Sequence, residues 1–241
     1  MTDTATQTTL DRLYLPGLVV LTASTGVVDA VSYLALDRVF TGNMTGNVLF
    51  IGFSLAGVDG VPLLNNLVAL LGFLVGALAC ARIIRGHTHA SRLPSVNLVL
   101  LAVSATVAGV LGAVWLAAGS LPEGALLAVT ALLAVVMGAQ AAGVRAAGIN
   151  DITTIVVTST LANLAIESRL AGGRGDRWRR RLVAVIAMGA GGALGALIIR
   201  FTGGAEALVF AALVMLVGLL LLDRARRREA EIRAAEQPAA P

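Results

Sequence analysis

A chain of 241 residues with 57% hydrophobic residues, 13% charged residues and a mean hydropathy of +0.87 carries about half the charge of an ordinary soluble domain. Its apolar residues fall in long runs, and about 20 of them in a row cross a hydrocarbon layer about 30 Å thick, so a soluble globular protein is excluded. The net charge of +4 comes from 18 basic residues, all of them arginine; these cluster between apolar runs with no interleaved aromatics, which argues against nucleic acid as a partner.

In chain order, the N-terminus lacks a basic leader, since Asp3 precedes Arg12, and a cleaved signal peptide is not expected. The first spanning run covers 17–36 and contains Asp29, with Ser32 and Tyr33 beside it. A carboxylate inside a span is costly and by default is a functional candidate. Asp29 can carry a proton, accept hydrogen bonds from the segment that follows, or lock two helices together. Asp37 and Arg38 read as boundary residues.

Residues 40–57 then hold two copies of Thr-Gly-Asn ahead of the apolar "VLFIGF". A half-helix over 48–57 is about 15 Å long at 1.5 Å per residue, half the hydrocarbon thickness, and sets Thr45, Gly46 and Asn47 at its non-helical tip. Irregular backbone at that depth is tolerated only in packed protein or beside a wet cavity.

Runs at 66–85, 96–118, 124–145, 182–201 and 205–222 complete six spans. Gly72 and Gly76, and Gly191 and Gly195, are small-residue pairs that let helices approach closely. Cys80 is the single cysteine, which rules out an internal disulfide or a cysteine metal cluster. His87 and His89, in a basic loop, read as solvated. Gln140 in the fourth span is the counterpart of Asp29. The stretch 151–170 repeats the broken pattern, with Thr158, Ser159 and Thr160 opening a second half-helix that ends near Glu167.

The arginines order these pieces. Arg82, Arg85 and Arg92 mark one loop, Arg169 to Arg181 a second and Arg224 to Arg228 the tail. The positive-inside rule places all three in the cytoplasm. The alternation then requires 151–170 to enter and leave on one side, and, if the N-terminus is cytoplasmic like the C-terminus, 40–57 to do the same; with the N-terminus outside, 40–57 is a full crossing. "GALACARIIR" at 76–85 and "GGALGALIIR" at 191–200 echo each other, as do "MTGNVL" at 44–49 and "VTSTLANL" at 157–164.

The expected architecture is an all-α membrane protein of six transmembrane helices plus two broken or re-entrant half-helices, arranged as a 3+3 inverted repeat. One transmembrane domain covers 1–222, with halves at 17–118 and 124–222, followed by a cytoplasmic Arg-rich tail at 223–241. The two half-helix N-termini are expected to meet near the midplane, where free N–H groups favour an anion or polar solute.

"GVVDAVSYLAL", "FTGNMTGNVLFIG", "MGAQAA" and "TTIVVTSTLANLA" resemble the bacterial YoaK-like membrane proteins over nearly the whole chain. Thr45-Gly46-Asn47 with Asp29 and Ala30 upstream is the most specific part of the likeness, and Gly138, Gln140 and Ala142 are similar in the second half. The chain departs from the family at Thr158-Ser159-Thr160, where members often have Thr-Gly-Thr. The resemblance implies a bacterial inner-membrane location and names no substrate.

No catalytic motif, cofactor motif or metal set is present, so neither an enzyme nor a bound cofactor is expected. The reading is a secondary transporter or permease for a small polar or anionic solute, coupled to protons through Asp29. Asp29, Thr45, Gly46, Asn47, Gln140, Thr158, Ser159 and Thr160 are its pathway candidates. Alternatives are a passive channel for a neutral solute and a non-transporting scaffold or partner subunit. The expected partners are the lipid bilayer and an unknown small solute, with a homo-oligomer allowed.

Overall fold

A computed structural model describes residues 4–86, 93–145, 157–173, 175 and 178–236. These form α1 (Thr4–Leu34), α2 (Met44–Leu55), α3 (Leu63–Arg85), α4 (Ser95–Ala118), α5 (Glu123–Arg145), α6 (Val157–Ile166), a short 3-10 turn (Arg169–Ala171), α7 (Trp178–Phe201) and α8 (Gly204–Glu236). Every regular element among the described residues is a helix, with six long and apolar enough to cross a membrane and two shorter apolar ones, α2 and α6. His87, His89, Arg92, Asp151, Arg174, Arg177 and the start of the 151–170 stretch lie outside the described residues.

The six long helices pack in the order α7, α1, α8, α4, α5, α3, and a light contact between α1 and α5 closes the inner four into a ring. Close glycine crossings fix their directions. Gly72 lies on Ala131 and Gly76 on Val135, so α3 and α5 run parallel. Gly191 lies on Ala23 and Gly195 on Val27, so α1 and α7 are parallel too. Gly109 faces Ala212 and Gly112 faces Val209, which makes α4 and α8 antiparallel, and Gly17 against Leu222 does the same for α1 and α8. The start of α4 meets the end of α5, where Asn97 Nδ2 donates to the Gly143 carbonyl at 2.8 Å.

Two sets of three helices therefore run oppositely, α1, α4 and α7 against α3, α5 and α8. This is the alternation that the arginine clusters require. The end of α1 and the start of α3 lie at one end of the bundle, joined through α2. The end of α5 and the start of α7 lie at the other end, joined through α6.

The elements differ from expectation in three places. Helix α1 starts well before residue 17, because α8 continues far past the apolar run and offers a surface for it. Leu10 and Tyr14 are buried there, and the Tyr14 hydroxyl donates to the buried Glu229 carboxylate at 2.6 Å. Arg233 closes on the same carboxylate at 2.7 Å, and Arg180 pairs with Asp11 at 3.0 Å. A hydrogen bond to a charged, buried group contributes about 1.5–3 kcal/mol. Tyr14→Phe is expected to lose that much stability, read as a lowered thermal midpoint of the detergent-solubilised protein.

The second difference is at α2, which begins at Met44 rather than Val48. Thr45, Gly46 and Asn47 form its first turn, and the irregular tip is the earlier copy, Thr41-Gly42-Asn43. The third concerns the half-helices themselves. Among the described residues α2 packs on α3 and α6 on α7, and the two do not touch each other. Their N-termini do not meet, because each is held on the outer helix of its own half.

Candidate functional site

The α1–α2 connection explains why the chain has two Thr-Gly-Asn copies. In the second, Asn47 is fully buried and its amide clamps one backbone residue: Oδ1 accepts from the Phe40 N–H at 2.9 Å, and Nδ2 donates to the Phe40 carbonyl. Gly46 leaves room for the Phe40 ring, since a Cβ there would lie 2.8 Å from a ring carbon. That ring stacks on Tyr33 at 5.0 Å and on Phe50 at 6.2 Å. The second copy therefore holds Phe40.

The first copy docks on α1. The Gly42 N–H donates to Asp29 Oδ1 at 2.7 Å, and the backbone amides of Thr41 and Asn43 also lie against the carboxylate. Thr41 is buried, and its hydroxyl reaches Ser32 Oγ at 3.5 Å. Gly42 is wedged between two side chains of α1. A Cβ there would lie 3.1 Å from the Thr25 methyl and 3.2 and 3.3 Å from the two Asp29 oxygens. Asp37 Oδ2 accepts from the buried Thr130 hydroxyl at 3.0 Å, which ties the same loop to α5.

Thr25 links this cluster to the other half of the chain. Gln140 Nε2 donates to Thr25 Oγ1 at 3.1 Å, and that hydroxyl donates on to the Leu21 carbonyl at 3.0 Å. Asp29 and Gln140 thus touch the same small region where α1 meets α5. Each has one buried oxygen with no hydrogen-bond partner, Asp29 Oδ2 and Gln140 Oε1. An unpaired buried polar atom costs about 1–3 kcal/mol; Asn66 Oδ1, Asn97 Oδ1 and Arg226 Nε are further such atoms among the described residues.

Asp29 also lines a groove of about 300 Å³ between α1, α7 and the loop, together with Tyr33, Phe40, Asn43 and Met188. Its wall at the α1–α7 crossing is formed by Gly26 and Gly192. Most of the lining is apolar or aromatic, and no arginine reaches it.

Of the sequence candidates, Asp29 and Gln140 are thus brought together, and Asn47 and Gly46 support the loop that seats on Asp29. Thr45 is exposed on the outer side of α2, and Thr158 and Ser159 are exposed on α6. Thr160 is buried, but among the described residues α6 packs only on α7 and the turn that follows it. The end of α6 is fixed by Arg181, which is buried and donates to the Asn163 carbonyl at 3.0 Å and to Glu167 Oε2 at 2.7 Å. Sequence reasoning missed Thr25 and Gly42. Thr25 sits one helical turn before Asp29, so its spacing placed it on the Asp29 face. Gly42 lies in the first Thr-Gly-Asn copy.

No solved structure matches the chain. A curated protein of Bacillus subtilis (strain 168), "UPF0700 transmembrane protein YoaK", is 34% identical over 153 residues, 64% of this chain and 65% of the relative's own length. The chain is therefore similar to a transmembrane protein and aligns with just under two thirds of it. Residues 17–221 match the family described as "Protein of unknown function (DUF1275)". They include all six apolar runs and the Asp29 loop, and the chain belongs to this family of membrane proteins.

Proposed function

We propose that the protein is a carrier of the inner membrane, built from two inverted halves, that moves a small polar solute past Asp29 in exchange with protons. The observation that carries this reading is the buried Asp29 carboxylate, which has one oxygen unpartnered, lines a groove and follows by one helical turn Thr25, to which Gln140 of the other half donates. Carriers with inverted repeats place substrate sites at the interface of the halves.

The halves are supported by the glycine crossings. Gly76 meets the Val135 carbonyl, and Gly191, 115 residues later (76 to 191), meets that of Ala23. Gly138 meets the Phe73 carbonyl, and Gly26, 112 residues earlier (26 to 138), meets that of Met188. The receiving residues keep the same offsets, 112 for Ala23 and Val135 (23 to 135) and 115 for Phe73 and Met188 (73 to 188). The packing order of the six long helices reads the same from either end once α1 is exchanged with α5, α3 with α7 and α4 with α8. Helices α2 and α6 each join two helix ends on one side, and we read them as re-entrant. The arginine loops put the N- and C-termini in the cytoplasm.

Two earlier alternatives weaken. An anionic solute at the start of α2 would meet the Asp29 carboxylate, which already faces that helix end, so the solute is neutral or cationic. A passive pore through the meeting point of two half-helices loses its basis because α2 and α6 stand apart. The scaffold reading keeps one observation in its favour, the Asn47 clamp, which is a purely internal contact.

Purified protein in sealed vesicles, with a pH dye inside and a solute gradient imposed, tests the carrier reading. Wild type is expected to couple solute flux to proton movement, and Asp29→Asn to lose the proton movement by about tenfold or more. Unchanged pH dependence of flux in Asp29→Asn would remove Asp29 from the mechanism.

A further inference from the structure

Resting on that carrier reading, we infer that the Asp29 groove binds a small organic ammonium ion whose apolar body lies against Tyr33 and Phe40. Four observations converge on this chemistry. Asp29 is 6% exposed, and its Oδ1 is taken by the Gly42 amide while Oδ2 is left without a partner. The loop amides around the carboxylate hold its position without supplying a positive charge. An anion in a largely apolar setting is compensated most effectively by a cation that can also donate a hydrogen bond.

Among the described residues, none that lines the groove is such a group. Its polar lining residues other than Asp29 are Asn43 and Tyr33, and Arg38 of the same loop is exposed and is not among them. The volume of about 300 Å³ falls at the lower end of small-molecule sites, which is more than a bare metal ion needs. The walls include the aromatic residues Tyr33 and Phe40, and aromatic faces attract ammonium groups. The stack of Tyr33 on Phe40 at 5.0 Å fixes both rings before a ligand arrives, and Asn47 fixes the Phe40 backbone. The Gly26 and Gly192 edge adds no side chain, which keeps the groove open at the α1–α7 crossing.

The same site explains how proton coupling follows from one residue. A single free carboxylate oxygen holds a proton or an ammonium ion, and not both. Each arrival of one then releases the other, which is the stoichiometry of exchange.

Benzylammonium chloride is a suitable probe, with benzyl alcohol as its neutral counterpart, benzoate as its anionic one and potassium chloride as the ionic-strength control. Two readouts are taken on the full chain purified in detergent. The thermal midpoint of wild type is expected to rise with benzylammonium and with none of the other three, and the rise to vanish in Asp29→Asn. Modification of Asp29 by a hydrophobic carbodiimide, followed by peptide mass in wild-type protein, is expected to slow about tenfold with benzylammonium; this readout needs no variant to fold. Tyr33→Leu is expected to need about three- to tenfold more probe for the same protection.

Equal protection by benzyl alcohol, or no protection by benzylammonium, overturns the ammonium site. Protection by benzylammonium without its movement into protein-loaded vesicles leaves the site standing and removes the carrier reading. Proton-coupled movement of a neutral solute with no benzylammonium protection does the reverse.

Discussion

Gly191→Leu is expected to leave almost no folded protein, while Gly189→Leu, two residues away on the same helix, is tolerated. A Cβ at Gly191 would fall on the backbone carbonyl of Ala23, whereas one at Gly189 meets nothing within 4 Å. Overpacking against flexible side chains costs about 1–3 kcal/mol. Here the obstacle is backbone, and relief requires α1 and α7 to separate along their whole parallel crossing. The cost is therefore at the top of that range or beyond it, against a total stability of about 5–15 kcal/mol for a typical domain. Gly76→Leu is expected to act the same way at the α3–α5 crossing, where the obstacle is the Val135 carbonyl. Folded yield after detergent extraction, read by size-exclusion chromatography, compares the three variants. Equal yields for Gly191→Leu and Gly189→Leu would contradict the close crossing, and with it the matched pair on which the two-halves reading rests.

Asn47→Ala is expected to have the second-largest effect, a loss of about 2–6 kcal/mol. The amide of Asn47 is fully buried and answers both the N–H and the carbonyl of Phe40. Alanine leaves both groups without partners, and each buried unsatisfied group costs about 1–3 kcal/mol. Thr45→Ala, on the exposed side of the same helical turn, is expected to stay within about 0.5 kcal/mol of wild type. The effect of Asn47→Ala should also reach the groove, because Phe40 would no longer be held against Tyr33. Thermal unfolding of the three proteins tests the stability claim; a midpoint for Asn47→Ala equal to that of Thr45→Ala would mean that the clamp does not hold the loop.

The six spans, their alternation and the burial of Asp29 were legible because each has a strong local signature. Long apolar runs, arginine clusters and a lone carboxylate are visible without knowing what packs on what. The echo between residues 76–85 and 191–200 was legible for the same reason, and its two glycines make matching crossings in the folded chain. What stayed hidden depends on partners distant in sequence. Nothing near Asn47 announces that it answers the backbone of Phe40, so it read as a polar lining residue. The residues before 17 were left out of the first helix because their partner, the extension of α8, lies more than 200 residues away; Tyr14 and Glu229 are separated by 215. The expected meeting of α2 and α6 failed because helix length and capping fix where a half-helix ends, and say nothing of which neighbour it lies on. Thr25 was passed over because threonine is ordinary in an apolar helix, and only the position of Gln140 gives it a role.

The proposed carrier has two inverted halves whose short helices, α2 and α6, enter one membrane from opposite faces. Single cysteines at Asn43 and Ser159, in a Cys80→Ser background, test it with membrane-impermeant thiol reagents applied to each face of sealed vesicles. Asn43 lines the groove and Ser159 is exposed on α6, so neither substitution breaks the Asn47 clamp. Each cysteine is expected to react from one face only, the two faces being opposite, with benzylammonium slowing the reaction at residue 43. Reaction of both from the same face, or of neither in folded protein, would contradict it.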